Sequence, residues 1–336
     1  SLRFLEEPFR RRRWLVSRSD LFLATAGISL VIAGAGSVAW ALDGWPERFT
    51  GRVAEQLALH DGDRPWTSVQ ADGELLRSHG EQWIGSSDAA AVPWGLLWGD
   101  SHAMAIIPAF ADALRERGMN AAVVAHTATA PVLGWYNSDP VHGLNERSEE
   151  LALEVFRLLE RKQLRNVLLV ACWSYYDCDE MRQALLRTVG QCRDAGINVW
   201  IMTQVPFQPL SVPRVLWYVA MTGDDERAYS AKTTEWNGIS GNGDEFLSEL
   251  QRAGVQVLDI RPKFLDSSGG CYVMQHEGRS LYADSNHLTP FGAEKLVLPF
   301  LRTELFQSPT TVLPNGLTAP GRGQPAGHSG LSKGSQ

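Results

Sequence analysis

The chain has 336 residues, Lys+Arg 31 against Asp+Glu 38 and a net charge of -7, so it lacks the basic excess of a nucleic-acid footprint. Charged residues at 21% and hydrophobic ones at 44% exclude wholesale disorder. Four cysteines in this length do not make a disulfide scaffold, and twelve tryptophans fit either an aromatic-lined cleft or a tryptophan-rich core.

The N-terminus opens with a basic run, Arg10 to Arg13, with Arg3 and Arg18 nearby. From Leu21 to Leu42 there is no charged residue, and Asp20 and Asp43 bound the segment. About 22 residues suffice to cross a hydrocarbon core of about 30 Å as a helix. Gly27, Gly34 and Gly36 would weaken a soluble helix but are common in membrane helices. The excess of arginine before the segment places the N-terminus in the cytoplasm and everything after Asp43 outside. Two other readings stay open: a cleaved signal peptide ending at Ala39-Trp40-Ala41, and a buried soluble helix.

Residues 43–92, punctuated by Trp45, Trp66 and Trp83, read as a connector packing on the domain that follows. From Pro93 onward short apolar runs alternate with helical patterns. Strands are predicted over 94–98, 121–125, 166–171, 197–203 and 255–260, and helices over 101–117, 147–162, 179–195, 243–253 and 290–306. In the first helix Met104, Ile107, Ala111 and Leu114 share a face, and Gly118 stops it. Residues 205–240 form a long insertion without a clean period, and the Gly/Pro/Ser/Thr-rich tail 307–336 reads as disordered. This alternation predicts an α/β domain with a parallel sheet covered by helices on both faces.

Ligands of such sheets bind beyond the carboxyl ends of the strands. There the first strand ends in Gly99-Asp100-Ser101-His102, which puts the Ser101 hydroxyl at a strand-to-helix turn. The N–H groups of a helix start stabilise developing negative charge. Just before the last helix stands Ala283-Asp284-Ser285-Asn286-His287-Leu288-Thr289. A carboxylate three residues before a histidine can hold one imidazole nitrogen and leave the other to take a serine proton. Each motif alone has a plainer reading, a helix N-cap or a capping turn. His102 is expected to point elsewhere along its helix, and His126 to serve packing or the surface.

Together the two motifs resemble the SGNH (GDSL-type) hydrolase superfamily over residues 94–306. The resemblance implies a flavodoxin-like parallel sheet with Ser101 as nucleophile and Asp284 and His287 completing a triad. It also implies oxyanion donors from a glycine after the second strand and an asparagine after the third. Here those loops read His126-Thr127-Ala128-Thr129-Ala130-Pro131 and Ala171-Cys172-Trp173-Ser174-Tyr175-Tyr176-Asp177, without either residue. The candidate donors are therefore the Ser101 N–H, the loop around Thr129, and the indole of Trp173.

Trp173-Ser174-x-Tyr176 and Leu281-Tyr282-x-Asp284-x-x-His287-Leu288-Thr289 are similar to the SGNH domain fused to acyltransferase-3 membrane proteins, which O-acetylate bacterial surface polysaccharides. Arg3-Phe4-x-Glu6-x-Pro8-x-Arg10 resembles the segment that closes their membrane domain. This implies that residues 1–20 are the cytoplasmic end of that domain, 21–42 a transmembrane helix, and 93–306 the periplasmic or extracellular catalytic domain of an inner-membrane protein. The chain is then a fragment or a split-gene product. The partners implied are the membrane, the missing acyltransferase-3 domain and a polysaccharide acceptor, with no nucleic acid. Acetyl-CoA is implied as donor for the complete protein, with no cofactor or metal bound by this segment. Trp135, Trp173 and Tyr176 are candidates for substrate binding. A hydrolase using water as acceptor is the alternative activity. A non-catalytic sugar-binding module, with Trp135, Trp217 and Trp236 as stacking platforms, is a second. Cys178 and Cys271 both lie near the carboxyl edge of the predicted sheet and are expected to form a disulfide, leaving Cys172 and Cys192 as buried thiols.

Overall fold

Ser17 starts the first helix, its hydroxyl accepting the Asp20 N–H at 3.0 Å, and α1 runs over Arg18–Ala41. With a mean hydropathy of 2.0 and every side chain free of burial, α1 is long and apolar enough to cross a membrane. The computed structural model describes residues 17–42, 51, 53–54, 68–138, 141–235 and 243–306. The Arg3–Arg10 motif, the arginine run, Trp45, Trp66, Trp236 and the tail 307–336 lie outside the described residues. The chain divides into two units, residues 1–61 and 62–336, and the fold below concerns the second.

In chain order the second unit contains α2 (Gly73–Arg77), β1 (Gln82–Gly85), β2 (Val92–Gly99), α3 (Ser101–Arg115), β3 (Met119–Ala125), α4 (Arg147–Arg161) and β4 (Asn166–Val170). There follow α5 (Asp179–Asp194), β5 (Asn198–Met202), α6 (Val212–Thr222), α7 (Gly243–Arg252), β6 (Gln256–Leu258) and the small hairpin β7 (Gln275–His276) and β8 (Arg279–Ser280). The last helix is broken into α8 (Pro290–Gly292), a π-type segment Ala293–Val297, and α9 (Leu298–Glu304).

The main sheet has the order β1-β3-β2-β4-β5-β6. All its neighbours run parallel except β1, which pairs antiparallel with β3 at the edge. The five parallel strands alone have the order 2-1-3-4-5 of the flavodoxin-like fold, whose topological switch point lies between the first strand and the third. Here that is the crevice beyond β2 and β4.

Some elements form where the sequence predicts none. The connector carries α2 and the edge strand β1, too short to show a period. The insertion contains α6, which has Pro213 in its first turn and ends at Gly223 in the left-handed region (φ 78°).

The centre of the sheet is built of apolar side chains on both faces, as a doubly covered parallel sheet requires. Trp94, Trp98, Trp173 and Trp200 are each at most 2% exposed. These four tryptophans serve the core, each worth about 1.5–3 kcal/mol of burial or more, and do not line a cleft. Strands β2 and β4 approach so closely that a Cβ on Gly99 would lie 1.8 Å from the Val170 carbonyl oxygen. That approach requires glycine immediately before Asp100 and Ser101.

Candidate active site

Asp100 caps α3, its Oδ1 accepting the His102 N–H at 2.8 Å. Its other oxygen accepts the Cys172 N–H at 2.9 Å and the Tyr176 hydroxyl at 2.8 Å. Asp100 is 1% exposed, and burial lifts its pKa although these three donors favour the charged form. One carboxylate thus ties the ends of β2 and β4 together at the switch point and fixes where α3 begins. Ser101, half-buried, is the first residue of that helix.

The turn before α8 is equally determined by local bonds. The Asp284 Oδ1 accepts the N–H groups of Asn286 and His287, each at 2.8 Å, and the Ala283 N–H donates to the His287 carbonyl at 2.8 Å. The turn is held to the start of α6 and the chain just before it by Gln208 N–H to the Ser285 carbonyl (2.7 Å) and Val212 N–H to the Asp284 carbonyl (2.9 Å). In this frame the His287 Nδ1 lies 2.7 Å from Asp284 Oδ2, and its Nε2 lies 2.9 Å from Ser101 Oγ. Burial raises the Asp284 pKa, but the hydrogen bonds from the His287 ring and from the Asn286 and His287 N–H groups outweigh it and hold it at about 2. The carboxylate is ionised at neutral pH, so Nδ1 carries the proton and Nε2 presents its lone pair to the serine. Asp284 remains 48% exposed and His287 21%, so the site is open to solvent.

Ser101, Asp284 and His287 are therefore brought together, whereas other sequence-predicted residues are placed differently. The Trp173 indole N–H donates to the Met202 carbonyl at 2.9 Å and the ring is fully buried, so it reaches neither an oxyanion nor a sugar. Thr129 is buried at 4%; its N–H donates to the His126 carbonyl and its hydroxyl accepts the Leu144 N–H, so neither faces a substrate. Tyr176 is 2% exposed and spends its hydroxyl on Asp100, which makes it a structural partner of the site and not a binding surface. Trp135 is half-buried and meets Tyr176 edge-on, with ring centroids 6.1 Å apart. Trp217 is half-buried on α6. Tyr175, 52% exposed at the end of β4, is the aromatic surface there that the tryptophan-centred reading passed over.

The disulfide is corrected as well. Cys178 and Cys271 are free, as are the buried Cys172 and Cys192. The Cys178 Sγ accepts the Met181 N–H at 3.4 Å and caps α5, and Cys271 instead pairs through its backbone with Lys232. His126 packs half-buried, its Nδ1 3.0 Å from the Thr127 carbonyl, in line with a packing role. His102 does not point away from the site: its ring lies 4.8 Å from that of His287. Among the described residues no group of three or more His, Cys, Asp or Glu could hold a metal ion.

Residues 68–302 match the family described as SGNH domain (fused to AT3 domains). Among solved structures, the periplasmic domain of a lipopolysaccharide acetyltransferase from Salmonella ser. Paratyphi A is 17% identical, with 75% of this chain and 95% of that one covered at a TM-score of 0.51. A protein provisionally named an acylhydrolase, from Bacteroides fragilis NCTC 9343, is 10% identical over 67% of this chain and 92% of its own, at a TM-score of 0.35. No curated protein matches. The first of these likenesses shows the shared fold.

Proposed function

The chain belongs to the SGNH domains that are fused to AT3 domains, and from that premise we propose that it is an O-acetyltransferase acting on a bacterial cell-surface polysaccharide. The observation that carries the proposal is the run of contacts from Ser101 Oγ to His287 Nε2 and from His287 Nδ1 to Asp284. Membership of the family makes the chain an acyl-handling enzyme; the acceptor and the acyl group are the proposed part.

In the first half-reaction Ser101 Oγ attacks the acyl carbonyl carbon while its proton passes to His287 Nε2. The tetrahedral intermediate collapses as the leaving group takes that proton, and an acyl-Ser101 ester remains. In the second half a sugar hydroxyl gives its proton to His287, its oxygen attacks the ester carbon, and the proton returns to Ser101. Asp284 holds the imidazole in the required tautomer and stabilises the imidazolium that forms in both halves. The oxyanion is assigned to the Ser101 N–H at the head of α3, where the helix dipole adds to the hydrogen bond. Acetyl-CoA is the donor in this reading, used by the AT3 domain. Helix α1 is the anchor, with the N-terminus cytoplasmic and the catalytic unit on the periplasmic side.

The solvent exposure of Asp284 and His287 favours a second reading, in which water is the acceptor and the enzyme is an esterase. Both share the acyl-enzyme, and product analysis separates them. Incubation of an acyl-donor ester with de-O-acetylated surface polysaccharide should put the acetyl label on the glycan. Release of all label as acetate would establish the hydrolase.

A further inference from the structure

Asn286 lies inside the Asp284–His287 turn and reaches across to α3, its Nδ2 being 3.4 Å from the His102 Nε2. The same amide is 4.0 Å from the Cys172 Sγ, a weak acceptor. His102 is 5% exposed and its ring plane is tilted 50° to that of His287. Burial, and after it the closeness of the His287 ring, hold the His102 pKa at about 3, so the ring is neutral and can accept the amide through one nitrogen.

The backbone bonds to Gln208 and Val212 tie the turn to the start of α6 and the chain just before it, whereas the catalytic distance that matters is to α3. We infer that the side-chain hydrogen bond between Asn286 and His102 is a positioning clamp, fastening the turn that carries Asp284 and His287 to the helix that carries Ser101. It keeps Nε2 aligned on Ser101 Oγ through both proton transfers. His102 and Asn286 are positioning residues here, acting through His287. The inference rests on Ser101 as the nucleophile, and goes beyond it in assigning why the histidine stays in place.

A displacement of about 1 Å at reacting groups can cost about 100-fold. Asn286→Ala and His102→Phe should each lower kcat for p-nitrophenyl acetate by about 10- to 100-fold and leave KM within about twofold. His102→Gln, which sets a carbonyl oxygen near the position of Nε2, should recover most of the loss. The double variant His102→Phe with Asn286→Ala should be no slower than the slower single variant. A second readout is independent of turnover: the downfield proton resonance of His287 Nδ1–H should broaden in Asn286→Ala and persist in His102→Gln. Multiplying losses in the double variant would overturn the clamp. So would full activity in His102→Phe beside loss in His102→Gln, which would assign ring packing instead. Unchanged turnover in Ser101→Ala would defeat the nucleophile, while the proton resonance would still decide the clamp.

Discussion

His287 Nε2 stands 2.9 Å from Ser101 Oγ although 186 positions separate the two residues in the chain. The serine is placed by the end of β2 and the Asp100 cap, the histidine by a turn folded on the Asp284 carboxylate. Neither placement depends on the other's side chain, so removing one should leave the other where it is.

Ser101→Ala should abolish labelling by a fluorophosphonate probe. His287→Ala should lower kcat/KM for p-nitrophenyl acetate by about 10³-fold or more, with little change in thermal stability. Persistent labelling of Ser101→Ala would remove the serine from its role.

Asp284→Asn tests the orienting carboxylate. The folded pKa of Asp284 is lowered from 3.8 to about 2, so its contribution to stability is present above pH 3.8 and is lost as pH falls toward 2. No loss of activity between pH 5 and 8 should therefore come from this group. The asparagine variant should be slower by about 10²- to 10⁴-fold throughout that range. A variant whose deficit vanishes at pH 8 would contradict an orienting role.

Tyr176→Phe removes one of three donors from the buried Asp100 carboxylate. The expected cost is about 1–3 kcal/mol, read as a lower urea midpoint with an unchanged slope. A midpoint equal to that of the unmodified protein would mean that the hydroxyl is dispensable to the cap.

The buried imidazole of His102 carries a pH signature of its own. Its folded pKa is lowered from 6.5 to about 3, so the unfolded chain binds the extra proton first as the medium is acidified. Stability from this group is full above pH 6.5 and declines as pH falls from 6.5 toward 3, by about 2 kcal/mol between pH 7 and pH 5. His102→Gln should lose less stability over that interval. Parallel declines in both proteins would show that His102 is protonated without cost.

Cysteine chemistry is the simplest check. All four thiols should react in denaturant without reductant, because none is bridged. In the native protein Cys172 and Cys192 should react slowly, since burial pushes each up to about 12. Recovery of a Cys178–Cys271 dipeptide by non-reducing mapping would reverse this assignment.

The strands around Leu96, Val123, Leu168 and Ile201 were legible because each is a short apolar run next to a helix with a clear stop, such as Gly118 or Gly196. Strand β1 was not, because four residues of edge strand with one half-exposed face carry no periodic signal. Helix α6 was obscured by its mixed insertion, although Pro213 and Gly223 mark its two ends. The last helix was expected to be continuous, but Pro299 lies within it and the chain passes through a π-type segment just before.

By itself the sequence determined the apolar length of α1, the alternation that makes a parallel α/β domain, and the two motifs around Ser101 and His287. These are signals carried by neighbours within a few residues, where periodicity, charge and turn chemistry act directly. Tertiary structure alone decided which polar atoms were already spent. The Trp173 indole and the Tyr176 hydroxyl are satisfied by partners on other elements, the Thr129 N–H is spent on His126 within its own loop, and Cys178 caps a helix in place of forming a bridge. It also decided that His102 and Asn286 meet, 184 positions apart, because a buried acceptor takes whichever donor the packed fold brings within reach.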